Sequence, residues 1–335
     1  MRPHRTDRAA HGRRTLTAAT TVVAALMALL ALTALAPAAD SAVVVSGGVA
    51  PTYPHRSLET PLNGQAIDRA FWAPGLNSGF VPQGITRVDA GGPFTETRLL
   101  VSGYSSRGCS VYAVSPFTGS ASNPRTVPGC SHAGGIVNEG DRRVWVADTN
   151  VLIELSIDRL FGSQAGDPVL RRIPLPDTAA GSPITIHGSF VVYNGTSAGS
   201  CPCIGIGDND TQRIRWYSRA YLRSVPSGRW LDRTQELGQT ATPVGPQGAA
   251  YDSAGRLWVT SSDWASSAER GWGRVQRLTG SPTATYNNFV PGIEGITATP
   301  DGDLWAVSEA GSLPYAGGRF FPLVFRFRPG LLNHP

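Results

Sequence analysis

Five residues that each stand one place before a recurring glycine define the chemistry open to this chain. They are Gln83, Gly134, His187, Gln247 and Glu294, preceding Gly84, Gly135, Gly188, Gly248 and Gly295. Where the second copy has glycine, His132 stands two residues earlier, on the same side of a strand. An imidazole or carboxylate shielded from water can carry protons, so Glu294, His187 and His132 are the candidate catalytic groups. Gln83, Gln247, Tyr104 and Glu309 are candidate ligand contacts. Glu294, Asn194 and Asp148 could supply oxygen ligands to Ca2+ or another divalent metal, with His187 beside them. A carboxylate pair, Glu294 with Asp148 or Glu309, could flank a glycosidic bond. Plain structural uses compete with each role: Asp148 could cap a turn, and Glu309 could be a solvated loop charge. No G-x-S-x-G elbow, P-loop or dinucleotide signature occurs, which argues against a serine hydrolase and nucleotide-binding classes.

The elements that must position these groups follow from an internal repeat. "VPQGITRV…RLLVSGYS", "HAGGIVNEGDRRVWVADT", "ITIHGSFVVYNGT", "GPQGAAYDSAGRLWVTSS" and "GIEGITATPDGDLWAVSE" align on the five glycines, at spacings of 51, 53, 60 and 47 residues. The third copy is short and matches least well. Each copy reads as a strand, a tight turn and a second strand, with glycine supplying positive φ in turns such as "SAGR" and "PDGD". Leu100, Trp145, Val191, Trp258 and Trp305 form a bulky column on the second strands, as packing between neighbouring sheets requires. Asp148, Asn194 and Ser261 end those strands. Third strands follow in "CSVYAVSP", "VLIELSI", "RIRWYSRAYL", "RVQRLTG" and "LVFRFRP", with one possible helical turn at Ile157 to Phe161.

A period near 50 built from short strands predicts an all-β fold, a β-propeller. Five units of about 53 residues fill positions 70–329, so five blades are expected, with six as the alternative. "RAFWAPGLNSGFVPQG" resembles "ATYNNFVPGIEG". This predicts that the N-terminal piece supplies the outer strand of the last blade and closes the ring. In such a ring the inner strands face a central channel, and the polar residues before the glycines would gather at one of its ends.

Residues 1–39 read as a secretory signal: a basic start with five arginines, an apolar run from about Ala18 to Leu35, and small residues in "LAPAADSA". "GRRTLT" partly matches a twin-arginine signal, and cleavage is expected after Ala38, Ala39 or Ala42. The alternative is a membrane anchor. The net charge of +5 loses five Arg and one Asp on cleavage after Ala39 and becomes +1. No basic face for nucleic acid remains, and no stable membrane insertion is expected afterwards. Residues 40–69 read as an irregular lead-in, 70–330 as one domain and 331–335 as a tail. In an exported protein the four cysteines, Cys109, Cys130, Cys201 and Cys203, suggest disulfides. Of three connectivities, Cys109–Cys130 with Cys201–Cys203 is preferred, because the first ties one repeat to the next. A metal-binding C-x-C is the rival for "SCPCIG".

The copies "GPQGAAYDSAGRLWVTSS" and "GIEGITATPDGDLWAVSEAG" resemble the SMP-30/gluconolactonase-like and NHL-like β-propellers, over most of residues 80–329. The chain also resembles secreted propeller proteins of actinobacteria, which fits its use of arginine in all 29 basic positions. The gluconolactonase-type resemblance implies six blades, lactonase activity and a divalent metal held by a glutamate of an E-G strand, an asparagine before glycine and an aspartate. Here Glu294–Gly295, Asn194–Gly195 and Asp148 are the matching positions, although this E-G lies in the last copy and the first has Gln83–Gly84. Three functions are therefore expected to compete. One is a secreted hydrolase acting on a lactone, ester or glycan. The second is a non-catalytic propeller binding a small molecule, a glycan, a protein or an envelope component. The third is a structural role at the cell surface.

Overall fold

The structure, a computed structural model, describes residues 42–162, 164–176, 188–194, 202–208, 211–262, 271–279 and 283–333, with the backbone alone at 188–190 and 194. Its strands form five antiparallel four-stranded sheets. After β1 (Ile67–Trp72) the chain builds blade 1 from β2 (Val81–Val88), β3 (Arg98–Ser105), β4 (Gly108–Val114) and β5 (Arg125–Thr126). Blade 2 is β6 (Gly135–Gly140), β7 (Arg143–Asp148), β8 (Val151–Ser156) and β9 (Val169–Pro174). Blade 3 is β10 (Gly188–Asn194), β11 (Cys203–Asp208), β12 (Arg213–Ser218) and β13 (Gly238–Ala241). Blade 4 is β14 (Pro246–Tyr251), β15 (Leu257–Ser261), β16 (Arg274–Arg277) and β17 (Ala284–Tyr286). Blade 5 is β18 (Ile293–Ala298), β19 (Leu304–Ser308) and β20 (Leu323–Phe327), completed by β1 on its outer edge.

The innermost strands touch in the cycle β2, β6, β10, β14, β18 and back to β2, so the ring is a closed five-bladed propeller. Closure is made by β1 against β20, with Ala70 opposite Phe325 and Trp72 opposite Leu323. It begins at Ile67, three residues before the boundary read from the sequence. The lead-in extends the same edge: Val45 bridges Ala70 in parallel, Ser46 N–H donates to Ala70 C=O at 2.9 Å, and Trp72 N–H to Gly47 C=O at 2.9 Å. That covers what would otherwise be an exposed sheet edge. Asn333 N–H donates to the Asn63 side chain at 2.8 Å and ties the tail to the lead-in.

Two features of the repeat now have physical reasons. A Cβ on Gly248 would lie 2.8 Å from Gly295 Cα, one on Gly295 2.7 Å from Gly84 Cα, and one on Gly84 2.8 Å from Gly135 Cα. The inner strands approach so closely that glycine alone fits between blades. The bulky column is likewise interblade core: Leu100, Trp145, Trp258 and Trp305 on the second strands are all buried. The Trp258 indole N–H donates to Asp252 at 2.8 Å, so its one polar atom is satisfied.

Blade 3 departs from the sequence reading. Val191 and Asn194 were expected on its second strand, but both lie on the inner strand β10, and the second strand is β11. In blades 2, 4 and 5 a short turn follows the inner strand. Here the connection spans residues 195–202 and carries Cys201, so the copy looks shorter than it is. A second difference is the helix Arg219–Ser224, which follows β12 where "RIRWYSRAYL" read as one strand. Ser218 ends that strand and caps the helix by accepting from Tyr221 N–H at 3.0 Å. The expected turn at Ile157–Phe161 is a helix capped in the same way by Ser156. Cys109 and Cys130 form a disulfide linking β4 to the loop before β6. Cys203 is not free, and Cys201 lies outside the described residues. Among the described residues no helix is long and apolar enough to cross a membrane.

Candidate functional site

The start of each inner strand and the end of its neighbour share one rim: Val81 pairs with Tyr104, Gly135 with Ala147, Pro246 with Ser261 and Ile293 with Ser308. Three of the polar residues before the glycines sit where strand register slips, between Pro82 and Gly84, Pro246 and Gly248, and Ile293 and Ile296. Such bulges re-aim a side chain while the rest of the strand stays in the sheet. Gln83, Gln247 and Glu294 are all buried at this rim.

Blades 1, 2 and 5 assemble one cluster. The Gln83 side-chain amide donates to Glu309 Oε2 at 2.9 Å, across the seam between blades 1 and 5. Tyr104 and Tyr315 share a hydrogen bond between their hydroxyls at 2.8 Å. The Tyr104 ring stacks on His132, centroids 4.9 Å apart and planes at 29°. Burial pushes the Tyr104 hydroxyl's pKa well up, helped by the Tyr315 hydrogen bond and by the charges of Glu309 and Glu294, so this phenol stays protonated. The half-buried Tyr104, His132 and Tyr315 thus form an outer layer over the buried Gln83, Glu294 and Glu309. Gln247 is turned to its own blade, donating to Ser262 Oγ at 3.0 Å.

His132 is held from below. Asp148 accepts from the backbone N–H groups of Ser131 at 3.0 Å, His132 at 2.6 Å and Ala133 at 3.1 Å, and from the Ser131 hydroxyl at 3.2 Å. Ala133 adopts φ +52°, and the disulfide pins Cys130 at the other end of this short loop. Burial depresses the His132 pKa below its ordinary value of 6.5, and the nearby Asp148 charge offsets only part of that. The sign of the resulting linkage is fixed. As pH falls through the unfolded-state pKa, the unfolded chain takes up a proton that the native site resists, so stability falls until the lower native pKa is passed. We expect denaturant unfolding to show a larger stability loss between about pH 7.5 and about pH 5.5 for the wild type than for His132→Asn. Equal losses would place His132 in an ordinary solvated setting.

No protein-family profile matches the chain, and no curated protein matches it. Solved structures do. A streptogramin B lyase structure is 17% identical over 72% of this chain and 66% of that one, with a TM-score of 0.33. The chain thus spans slightly under two thirds of the lyase chain. The PQQ-bound aldose sugar dehydrogenase from Streptomyces coelicolor is 16% identical, covering 74% and 94%, with a TM-score of 0.40. A nidogen/laminin complex is 15% identical, covering 69% and 73%, with a TM-score of 0.40. At TM-scores this low the propeller assignment rests on the strand pairing itself.

The metal-ligand set read from the sequence does not come together. Asn194 pairs with Cys203 while Gly188 pairs with Asp208, which puts Asn194 at the opposite end of blade 3 from the rim. Asp148 already accepts four donors in its loop. Among the described residues the one convergent triple of His, Cys, Asp or Glu atoms is Cys109, Cys130 and Asp148, and its two sulfurs are joined to each other. These residues do not fit a calcium site, which needs six to eight oxygens. EDTA is therefore expected to leave the melting temperature unchanged. A fall that Ca2+ reverses would show a site built from other groups.

His187 lies outside the described residues. Tyr315 was missed by the sequence reading, because its loop "GSLPYAGG" belongs to no repeat. An aromatic residue after Pro314, in a Gly-rich loop six residues beyond Glu309, was the available signal. Asp208, which ends the true second strand of blade 3, was missed for the reason that displaced Asn194. It is fully buried and accepts from Arg215 at 3.3 Å and from the Thr211 hydroxyl at 2.6 Å, a structural ion pair.

Proposed function

We propose that this chain is an exported hydrolase that uses the channel mouth formed by blades 1, 2 and 5, and that an ester or lactone is its substrate. The observation that carries the reading is the stacked His132–Tyr104 pair, an imidazole kept neutral beside a phenol kept protonated. In this reading His132 accepts the proton of the attacking water. Of the Tyr104 and Tyr315 hydroxyls, the one that accepts in their mutual bond keeps its own proton to donate to the oxyanion that develops on the carbonyl oxygen, while both Gln83 N–H groups are held by the Pro82 carbonyl and Glu309. Glu309 orients Gln83, and Glu294 sets the polarity of the floor. The likeness of the repeats to gluconolactonase-like propellers agrees in substrate class, but the mechanism argued here does not use that family's metal.

A panel of aliphatic lactones and p-nitrophenyl esters, with p-nitrophenyl glycosides as controls, tests this. Turnover of at least one lactone or ester is expected. His132→Asn should lower kcat by about 10²- to 10⁴-fold while leaving the melting temperature within a few degrees. The wild-type rate should rise with pH through a pKa below the ordinary histidine value. No turnover of the panel, or a His132→Asn rate equal to wild type, overturns the assignment. The second reading, a non-catalytic binder, draws support from the mutual pairing of Gln83 with Glu309 and Tyr104 with Tyr315. It predicts ligand binding without turnover.

A further inference from the structure

A groove of about 350 Å³ lies at the seam of blades 1 and 5, toward the end of the ring opposite the mouth. It is reached past the β18–β19 turn, whose Thr299, Pro300 and Asp301 form one wall. Arg69 from β1, Arg87 from β2 and Arg326 from β20 also line it, with Leu99, Pro116 and Phe117 on the apolar side. Two of the three arginines are neutralised in place. Arg326 donates to Asp68 at 2.8 Å, and Arg87 pairs with Asp89. Arg69 differs. One of its N–H groups reaches the Pro116 carbonyl at 2.8 Å, and among the described residues no carboxylate lies within ion-pair distance of it.

We propose that this groove binds a hydroxylated monocarboxylate of one ring, the chemistry of a uronic acid. The Arg69 guanidinium has donors left for a carboxylate, which it can engage in a two-point contact that no neutral sugar offers. Phe117 is 63% exposed and, backed by the buried Leu99 and Pro116, gives a flat apolar face that the C–H face of a sugar ring can cover. Asp301, held ionised chiefly by the Thr299 hydroxyl, faces the same space; it accepts hydroxyls and repels a second negative charge. The volume is near the lower bound for small-molecule sites and suits a single ring. This site shares no residue with the channel mouth and does not depend on the hydrolase reading.

Ligand-observed NMR titration of the chain with sodium D-glucuronate, with D-glucose as the neutral control, tests the proposal. Saturable glucuronate binding in the millimolar range is expected, at least about tenfold tighter than glucose. Arg69→Gln should weaken it about tenfold or more, and Phe117→Ser several-fold, while His132→Asn leaves it unchanged. The exposed Phe117 variant decides the matter if Arg69→Gln does not fold. Equal binding of glucose, wild-type binding by both groove variants, or no saturation at tens of millimolar glucuronate overturns it.

Discussion

Gly295→Ala is expected to lower the melting temperature by about 5 °C. The added Cβ would sit 2.7 Å from Gly84 Cα, 2.7 Å from Ile85 N and 2.9 Å from the Gln83 carbonyl oxygen. All three are backbone atoms of the next blade, so no side chain can swing aside. Relief requires blade 5 and blade 1 to separate, and the ring resists because every inner strand touches two neighbours. A cost of about 3 kcal/mol is the upper range for overpacking in a core. Gly317→Ala is the control: a Cβ there meets nothing within 4 Å, and its effect should stay within about 0.5 kcal/mol. Thermal unfolding followed by circular dichroism compares the two. Equal melting temperatures would mean that the inner strands are not packed backbone to backbone.

Asp148→Ala is expected to destabilise by about 2–4 kcal/mol and to abolish activity at the channel mouth. Its carboxylate is the shared acceptor of three consecutive backbone N–H groups, and Ala133 among them is buried. An unpaired buried donor costs about 1–3 kcal/mol, and donors to a charged acceptor lie toward the upper end. The functional loss has a separate origin. Without its cap the loop no longer fixes His132 against Tyr104, although the disulfide still holds Cys130. Asp148→Asn keeps one acceptor oxygen and should fall between the variant and the wild type on both measures. Denaturant titration together with the ester and lactone assay separates the two losses. Full stability in Asp148→Ala would remove the argument that this carboxylate builds the site.

Much of the ring could be read from residue order. The glycine spacings and the column of Leu100, Trp145, Trp258 and Trp305 report interblade packing, which recurs in each copy and so repeats in sequence. The closing strand was visible because "RAFWAPG" carries the pattern of an outer strand that continues into an inner one. Asn194 was misplaced because blade 3 lacks the short turn that follows the inner strand in blades 2, 4 and 5, so one strand was read as a strand, a turn and a second strand. The site was legible only in part. Residues before the aligned glycines were found because β-bulges place them at equivalent positions. Tyr315, the partner of Tyr104, and Ser131, which donates to Asp148, lie in loops that obey no repeat, and an interaction across a blade seam leaves no spacing behind. Asp148 was noted as either a metal ligand or a turn cap, and only its N–H partners decide for the cap.

A crystal structure of the chain tests the closed ring and its mouth in one measurement. The expected result is five four-stranded sheets, residues 67–72 lying beside 323–327, and Tyr104 stacked on His132 within reach of Tyr315. A sixth sheet, two sheets stacked as a sandwich, or Gln83 and Glu309 on different faces would contradict it.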